Sequence, residues 1–165
     1  MRRLLLGVLT GALVLGWPWA AAAQDGATYR VLRESWTDAD ERGYAEFVAA
    51  IGNSNCRNVD QCMKSAANPF ARSDPPGIRW YADCADLPYF MRAYYAWKRG
   101  LPFSFISAVA PKGGTNDIRY TARGNDIAGR RDVVAGSTKA LSLLSEMRDL
   151  ISSAMYRLHP DMEGT

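Results

Sequence analysis

Histidine is almost missing from this chain: His159 is the only one in 165 residues. Cysteine is scarce too, with Cys56, Cys62 and Cys84 alone. One imidazole and a close cysteine pair do not provide the ligand spacing of a zinc site, so no metal is expected. A phosphate loop is also lacking. The stretch "PKGGTND" (residues 111–117) has the glycines without the Gly-Lys-Ser/Thr ending that cradles a nucleotide, and no cofactor is expected. There is no excess of one charge and no basic stripe, which removes nucleic acid from the expected partners. Past residue 23, no apolar run has the length a membrane-spanning helix needs. Internal repeats and a low-complexity tail are absent as well.

What is present begins with "MRRLLLGVLTGALVLGWPWAAAAQDG". Arg2 and Arg3 form a positive start, Leu4 to Leu15 an apolar stretch too short to span a bilayer, and Ala20 to Ala23 a run of small residues. This is the pattern of a cleaved signal peptide over residues 1–23, and it predicts a periplasmic or secreted protein with no stable membrane insertion after cleavage. Cleavage there takes 23 of the 165 residues and leaves 142, a single domain (24–165) with enough chain to bury a core. It also removes two of the 20 basic residues, leaving 18 against 17 acidic ones.

The remaining pattern predicts an α+β domain with three main helices, one short helix and a small sheet. "TDADERGYAEFVAAIG" reads as a helix capped by Thr37, with Asp38, Asp40 and Glu41 at its positive end and Tyr44, Phe47, Val48 and Ile51 on one face. Asn58 and Gln61 predict a short helix over Val59 to Ser65. The next helix carries Leu87, Phe90, Met91, Tyr94 and Trp97 on its apolar face, with Arg92, Lys98 and Arg99 marking the solvated side and Gly100 and Pro102 stopping it. A strand is expected over Phe103 to Ala110, and a second short one over Ile118 to Thr121. "STKALSLLSEMRDLISSAMYRL" gives the longest helical signal, ended by Pro160.

In an oxidising compartment Cys56 and Cys62, six residues apart, are expected to pair. Cys84 is then odd. Either it works as a thiol, pairs between chains, or is simply packed. A helix start would supply free amides and a positive dipole that favour a thiolate and can hold an oxyanion. Flanking Asp83 and Asp86 work against that, and Pro88 moves the helix start towards Asp86 or Leu87.

The stretch "DCADLPYFMRAYYAWKRGLPF" resembles the nucleophile segment of papain-like cysteine hydrolases, in the manner of NlpC-type peptidases and bacterial transglutaminase-like proteins. The similarity covers Cys84, the helix to Trp97, and Gly100-Leu101-Pro102-Phe103, about twenty residues. The resemblance implies the helical part of a papain-like fold and attack by Cys84 on an amide carbonyl. It also implies a partner histidine on a later strand. The sequence departs from that pattern, because His159 follows a helix and precedes Pro160. Two accounts compete: the chain is an incomplete portion of the hydrolase, or the fold is complete without a conventional base and His159 is the one imidazole available.

Other candidates are weaker. Tyr89 and Tyr95 are expected to face a cleft beside the helix, while Phe90, Tyr94 and Trp97 go to the core. Arg119 and Arg123, with Arg130 and Arg131, could recognise a carboxylate. The leading expectation is an exported thiol hydrolase, or a portion of one, acting on amide or peptide bonds, with cell-wall peptides as the substrate its compartment suggests. The alternative is a non-catalytic envelope protein that binds a peptide or glycan.

Overall fold

The computed structural model describes residues 28–113 and 122–156. The expected signal peptide, the strand over Ile118 to Thr121, and the end of the last helical segment from residue 157 onward lie outside them.

The architecture is α+β. β1 (Thr28–Arg30) leads into α1 (Asp38–Gly52), α2 (Val59–Lys64), α3 (Leu87–Arg99), β2 (Phe103–Pro111), β3 (Asn125–Val133), β4 (Ser137–Lys139) and α4 (Ala140–Leu150). In place of one small sheet there are two antiparallel pairs among the described residues. β1 pairs with β4, Tyr29 opposite Thr138, and β2 pairs with β3, Phe103 opposite Val133.

α1 begins as its cap predicts. The Asp40 amide donates to Thr37 Oγ1 at 3.3 Å, and Asp40 returns the favour by accepting from the Thr37 amide at 3.0 Å. Arg33 closes on the same carboxylate with two bonds, 3.0 and 2.7 Å. Burial alone pushes the Asp40 carboxyl up, but the Thr37 and Arg33 bonds outweigh it and hold the group below its usual range. Asp40→Ala is therefore expected to cost about 1–2 kcal/mol at neutral pH, the size of a lost charged cap. A carboxyl with a lowered folded pKa stabilises the fold above its unfolded pKa and loses that effect as pH falls through the folded value. The gap between the native protein and Asp40→Ala, read by urea unfolding, should thus close only below the ordinary carboxylate range.

α2 is capped by Asn58, which accepts from the Gln61 amide at 2.9 Å, and is tied back by the Cys56–Cys62 disulfide, with Cα atoms 5.1 Å apart. α3 is the centre of the molecule. Phe90, Met91, Tyr94 and Trp97 are buried as the periodicity predicts, while Leu87 stays 37% exposed. Burial extends further round the helix, to Tyr95 and Lys98. Tyr95 was expected to face a cleft; instead it packs on Trp36 and Phe47, ring centroids 5.8 and 5.7 Å away. Lys98 was expected on the solvated side; instead its ammonium sits 2.7 Å from Asp74. A helix enclosed on more than one face cannot keep a solvated side along its whole length. The residues from α1 and the turn-rich 65–80 segment that enclose it come from elsewhere in the chain. Arg92 is also less free than expected: it makes two bonds to Glu41 and lies 3.4 Å over the Trp36 ring. Gly100 ends the helix in the left-handed region (φ 65°), a conformation that favours glycine.

The longest helical signal is divided. Ser137 to Lys139 pair with β1 as strand, and α4 stops at Leu150. Ile151 turns to an extended backbone while keeping its side chain buried. Ser152 then caps Ala154 locally, a bond that competes with continuing the helix. The ambiguous stretch before it is strand from Asn125. Its side chains are mostly exposed, so no alternation of apolar and polar residues marks it.

Candidate functional site

The order of Asp83, Cys84, Ala85 and Asp86 determines the local geometry. Pro88 suits the first turn of a helix, and α3 starts at Leu87, which leaves Cys84 three residues before the helix rather than at its head. The turn in between is held by its own carboxylates. Asp83 accepts from the Ala85 and Asp86 amides at 2.6 and 3.1 Å, and Asp86 accepts from the Asp83 amide at 2.6 Å. The Leu87 amide bonds back to the Asp83 carbonyl at 3.0 Å. Asp86 is buried, and burial pushes its carboxyl up.

Cys84 is the unpaired cysteine of the three and is exposed. Its neighbours' amides are taken up by Asp83 and Asp86. Its own amide donates to no acceptor among the described residues. An amide on the nucleophile itself is one of the donors that can face a developing oxyanion. The rest of the first-turn array expected for a cysteine at the helix head is directed elsewhere.

Cys84 lines a groove of about 750 Å³ between α1, α2 and the start of α3. The walls are mainly apolar: Val48 and Ile51 from α1, Met63 from α2, and Leu87 and Met91 from α3. The Cys56–Cys62 disulfide belongs to the same groove. Two further grooves adjoin it. One, of about 660 Å³, is bounded by Trp36, Tyr89, Arg92 and Phe103. The other, of about 540 Å³, is bounded by Arg79, Trp80, Tyr81 and Arg148.

Tyr89 therefore faces a cleft, half-buried, and Tyr95 does not. Arg123 is exposed, with its side chain lying against Gly113, and lines none of these grooves. Arg119 and His159 lie outside the described residues. Arg130 and Arg131 are engaged on the surface, by Asp132 and Ser104 and by Glu146 respectively. Trp36, Tyr44, Val48 and Arg92 belong to the groove walls, a role the sequence did not signal. Trp36, Tyr44 and Val48 lie far along the chain from Cys84 and carry no motif, and Arg92 was expected on the solvated side of its helix.

Among the described residues, no group of three or more His, Cys, Asp or Glu could hold a metal ion. No helix among them is long and apolar enough to cross a membrane. No family model matches the chain, and neither a curated protein nor a solved structure matches it.

Proposed function

We propose that this chain presents the nucleophile of an exported, papain-like thiol hydrolase, or a portion of one, acting on amide or peptide bonds. The observation that carries this reading is the environment of Cys84: an exposed, unpaired thiol whose backbone amide donates to no acceptor among the described residues, on a hydrogen-bonded turn beside an apolar groove. The turn is anchored to α3, whose other face is locked into the core. A nucleophile needs that rigidity to hold an attack geometry.

In the reaction the Cys84 sulfur bonds to the carbonyl carbon and its proton passes to a base. The C–N bond breaks, and the amine leaves with a proton. Water then cleaves the thioester, releasing the acid and restoring the thiol. His159 is the imidazole in the chain that could act as the base.

Intact-mass kinetics with a peptidyl vinyl sulfone at neutral pH test this. A single adduct on Cys84 is expected, formed about 100-fold faster than on glutathione, a factor within the range a positioned proton transfer supplies. Cys84→Ala should abolish it. Addition no faster than to glutathione, or addition only after unfolding, would reject the hydrolase.

A second reading draws on the aromatic groove. A non-catalytic envelope protein could bind a peptide or glycan against Trp36 and Tyr89, with Arg92 held over the Trp36 ring by Glu41. Ligand binding that survives Cys84→Ala unchanged, with no vinyl sulfone reaction in the native protein, would favour it.

A further inference from the structure

Cys84 does not lie alone in its groove. Cys56 and Cys62, bonded to each other and half-buried, line the same groove. All three cysteines of the chain therefore meet one surface depression. They come from three separate segments: the loop after α1, α2 itself, and the turn before α3.

Two of those segments are tied together beside the sulfurs. The Trp80 amide donates to Asp60 Oδ1 at 2.9 Å, which binds the strip leading to Cys84 to the helix that carries Cys62. Asp60 stands two residues before Cys62, and Trp80 four before Cys84. Val59 and Asp83, one from each segment, line both the Cys84 groove and the groove beside it.

A thiol that shares a groove with a disulfide has a second reaction open to it. Attack of a thiolate on a disulfide sulfur requires reach and a leaving sulfur able to carry the charge. The two disulfide sulfurs differ in that respect. Arg57 follows Cys56 directly and lines the groove with it, so a cation stands near the charge that develops if Cys56 leaves. Met63 follows Cys62, and Lys64 is engaged by Asp60. Asp83 is the other charged residue of the lining, and its carboxylate accepts from the Ala85 and Asp86 amides. Attack at Cys62 with departure of Cys56 is the favoured direction.

We infer that the groove is a thiol–disulfide exchange site. The Cys84 sulfur bonds to the Cys62 sulfur as the Cys56–Cys62 bond breaks. The electron pair leaves on the Cys56 sulfur, which takes up the proton that Cys84 gave up. One disulfide and one thiol stand on each side, so no oxidant or reductant is consumed. Resting on the thiol-hydrolase reading, the exchange regulates that same site. With its sulfur bonded to Cys62, Cys84 attacks no carbonyl, and return of the disulfide to Cys56 restores it.

Non-reducing peptide mapping of the full chain tests the inference. The folded protein is held at mildly alkaline pH without reductant. Samples are quenched in acid, which stops exchange by protonating the thiol, and the linked peptides are identified by mass. A Cys62–Cys84 link with a free Cys56 thiol is expected, at a rate independent of protein concentration. It should form about tenfold faster than in the urea-unfolded chain, where the sulfurs meet only by closing a flexible loop. Arg57→Ala, at an exposed position, should slow it severalfold. Chains that carry the link should be missing from the vinyl sulfone adduct. Cys56–Cys62 persisting as the single linkage, or exchange no faster than in urea, would overturn the exchange site and leave the hydrolase reading in place. A Cys62–Cys84 link in a protein whose remaining Cys84 thiol adds the vinyl sulfone no faster than glutathione does would remove the hydrolase and keep the exchange.

Discussion

Replacing Lys98 by methionine is expected to lower the unfolding free energy by about 3–5 kcal/mol, seen as a lower urea midpoint at an unchanged slope. The Lys98 and Asp74 side chains are only 4% and 6% exposed, with Nζ and Oδ1 2.7 Å apart. Lys98 also donates to the Ser73 carbonyl and hydroxyl. Asp74 accepts from the Tyr94 hydroxyl at 2.9 and 3.0 Å, and that hydroxyl accepts from Asn68. Methionine fills the space of the stem and leaves Asp74 as a buried charge with one neutral donor. Burial already pushes the Asp74 carboxyl up, even with Lys98 and Tyr94 pulling it down, and burial lowers Lys98. Removing Lys98 should raise Asp74 further.

The sign of the pH effect follows from that rise. A carboxyl whose folded pKa exceeds its unfolded one binds more protons when folded, so stability falls as pH rises between the two values. The Lys98→Met deficit should therefore shrink as pH drops towards the ordinary carboxylate range, at higher pH than the window in which the Asp40→Ala gap closes. Adding Asp74→Asn should recover much of the loss, because a neutral pair of similar volume carries no desolvated charge. A single-variant loss under about 1 kcal/mol would mark the pair as an ordinary surface bridge and refute the assignment.

Lys98 also shows where the sequence stopped being informative. Local interactions were readable. Thr37 and Asn58 cap helices because a side chain three residues from an amide reaches it whatever surrounds them. The Cys56–Cys62 pair and the apolar stripe of α3 are local in the same sense. The burial of Lys98 and Tyr95 depends on Asp74, Trp36 and Phe47, more than twenty residues away, and no period in α3 encodes them. β1 and β4 are too short to show alternation and exist through each other. β3 departs from alternation because its residues face water on both sides. At the candidate site, the odd thiol was legible from counting cysteines. The groove was not, since its walls come from α1, α2 and the start of α3, and proximity among them is a property of the fold.

Trp97→Ala should be as damaging as the loss of Lys98, at about 3–5 kcal/mol, the range for deleting a fully buried tryptophan. Trp97 is 1% exposed and meets Tyr94 edge-on with centroids 5.8 Å apart. Its indole nitrogen donates to the Thr28 carbonyl at 2.9 Å, joining α3 to β1. β1 is a three-residue strand whose hold on β4 is short, so this bond and the Tyr29 hydroxyl bond to Leu101 fix it to the body of the domain. Trp97→Phe separates the contributions. It keeps most of the ring volume and removes the donor, leaving the Thr28 carbonyl unbonded, for an expected loss of about 1–2 kcal/mol. Hydrogen exchange should then rise selectively in β1 and β4, while the α1 and α2 amides keep their protection. The Lys98 ammonium lies 3.9 Å over the Trp97 ring, so the two large predictions are not independent. A double-mutant cycle between Trp97→Ala and Lys98→Met should show coupling of about 0.5–2 kcal/mol, the cation–π contact being lost once and not twice. Additive losses would mean that the ammonium is held by Asp74 and Ser73 alone. Loss of Trp97 should also loosen α3 at its far end, away from Cys84. If the turn before Leu87 derives its rigidity from the buried face of the whole helix, addition of the peptidyl vinyl sulfone should slow in Trp97→Ala while the iodoacetamide rate holds. A thiol that keeps its full rate towards both reagents would show that Asp83 and Asp86 hold the turn without help from the rest of the helix.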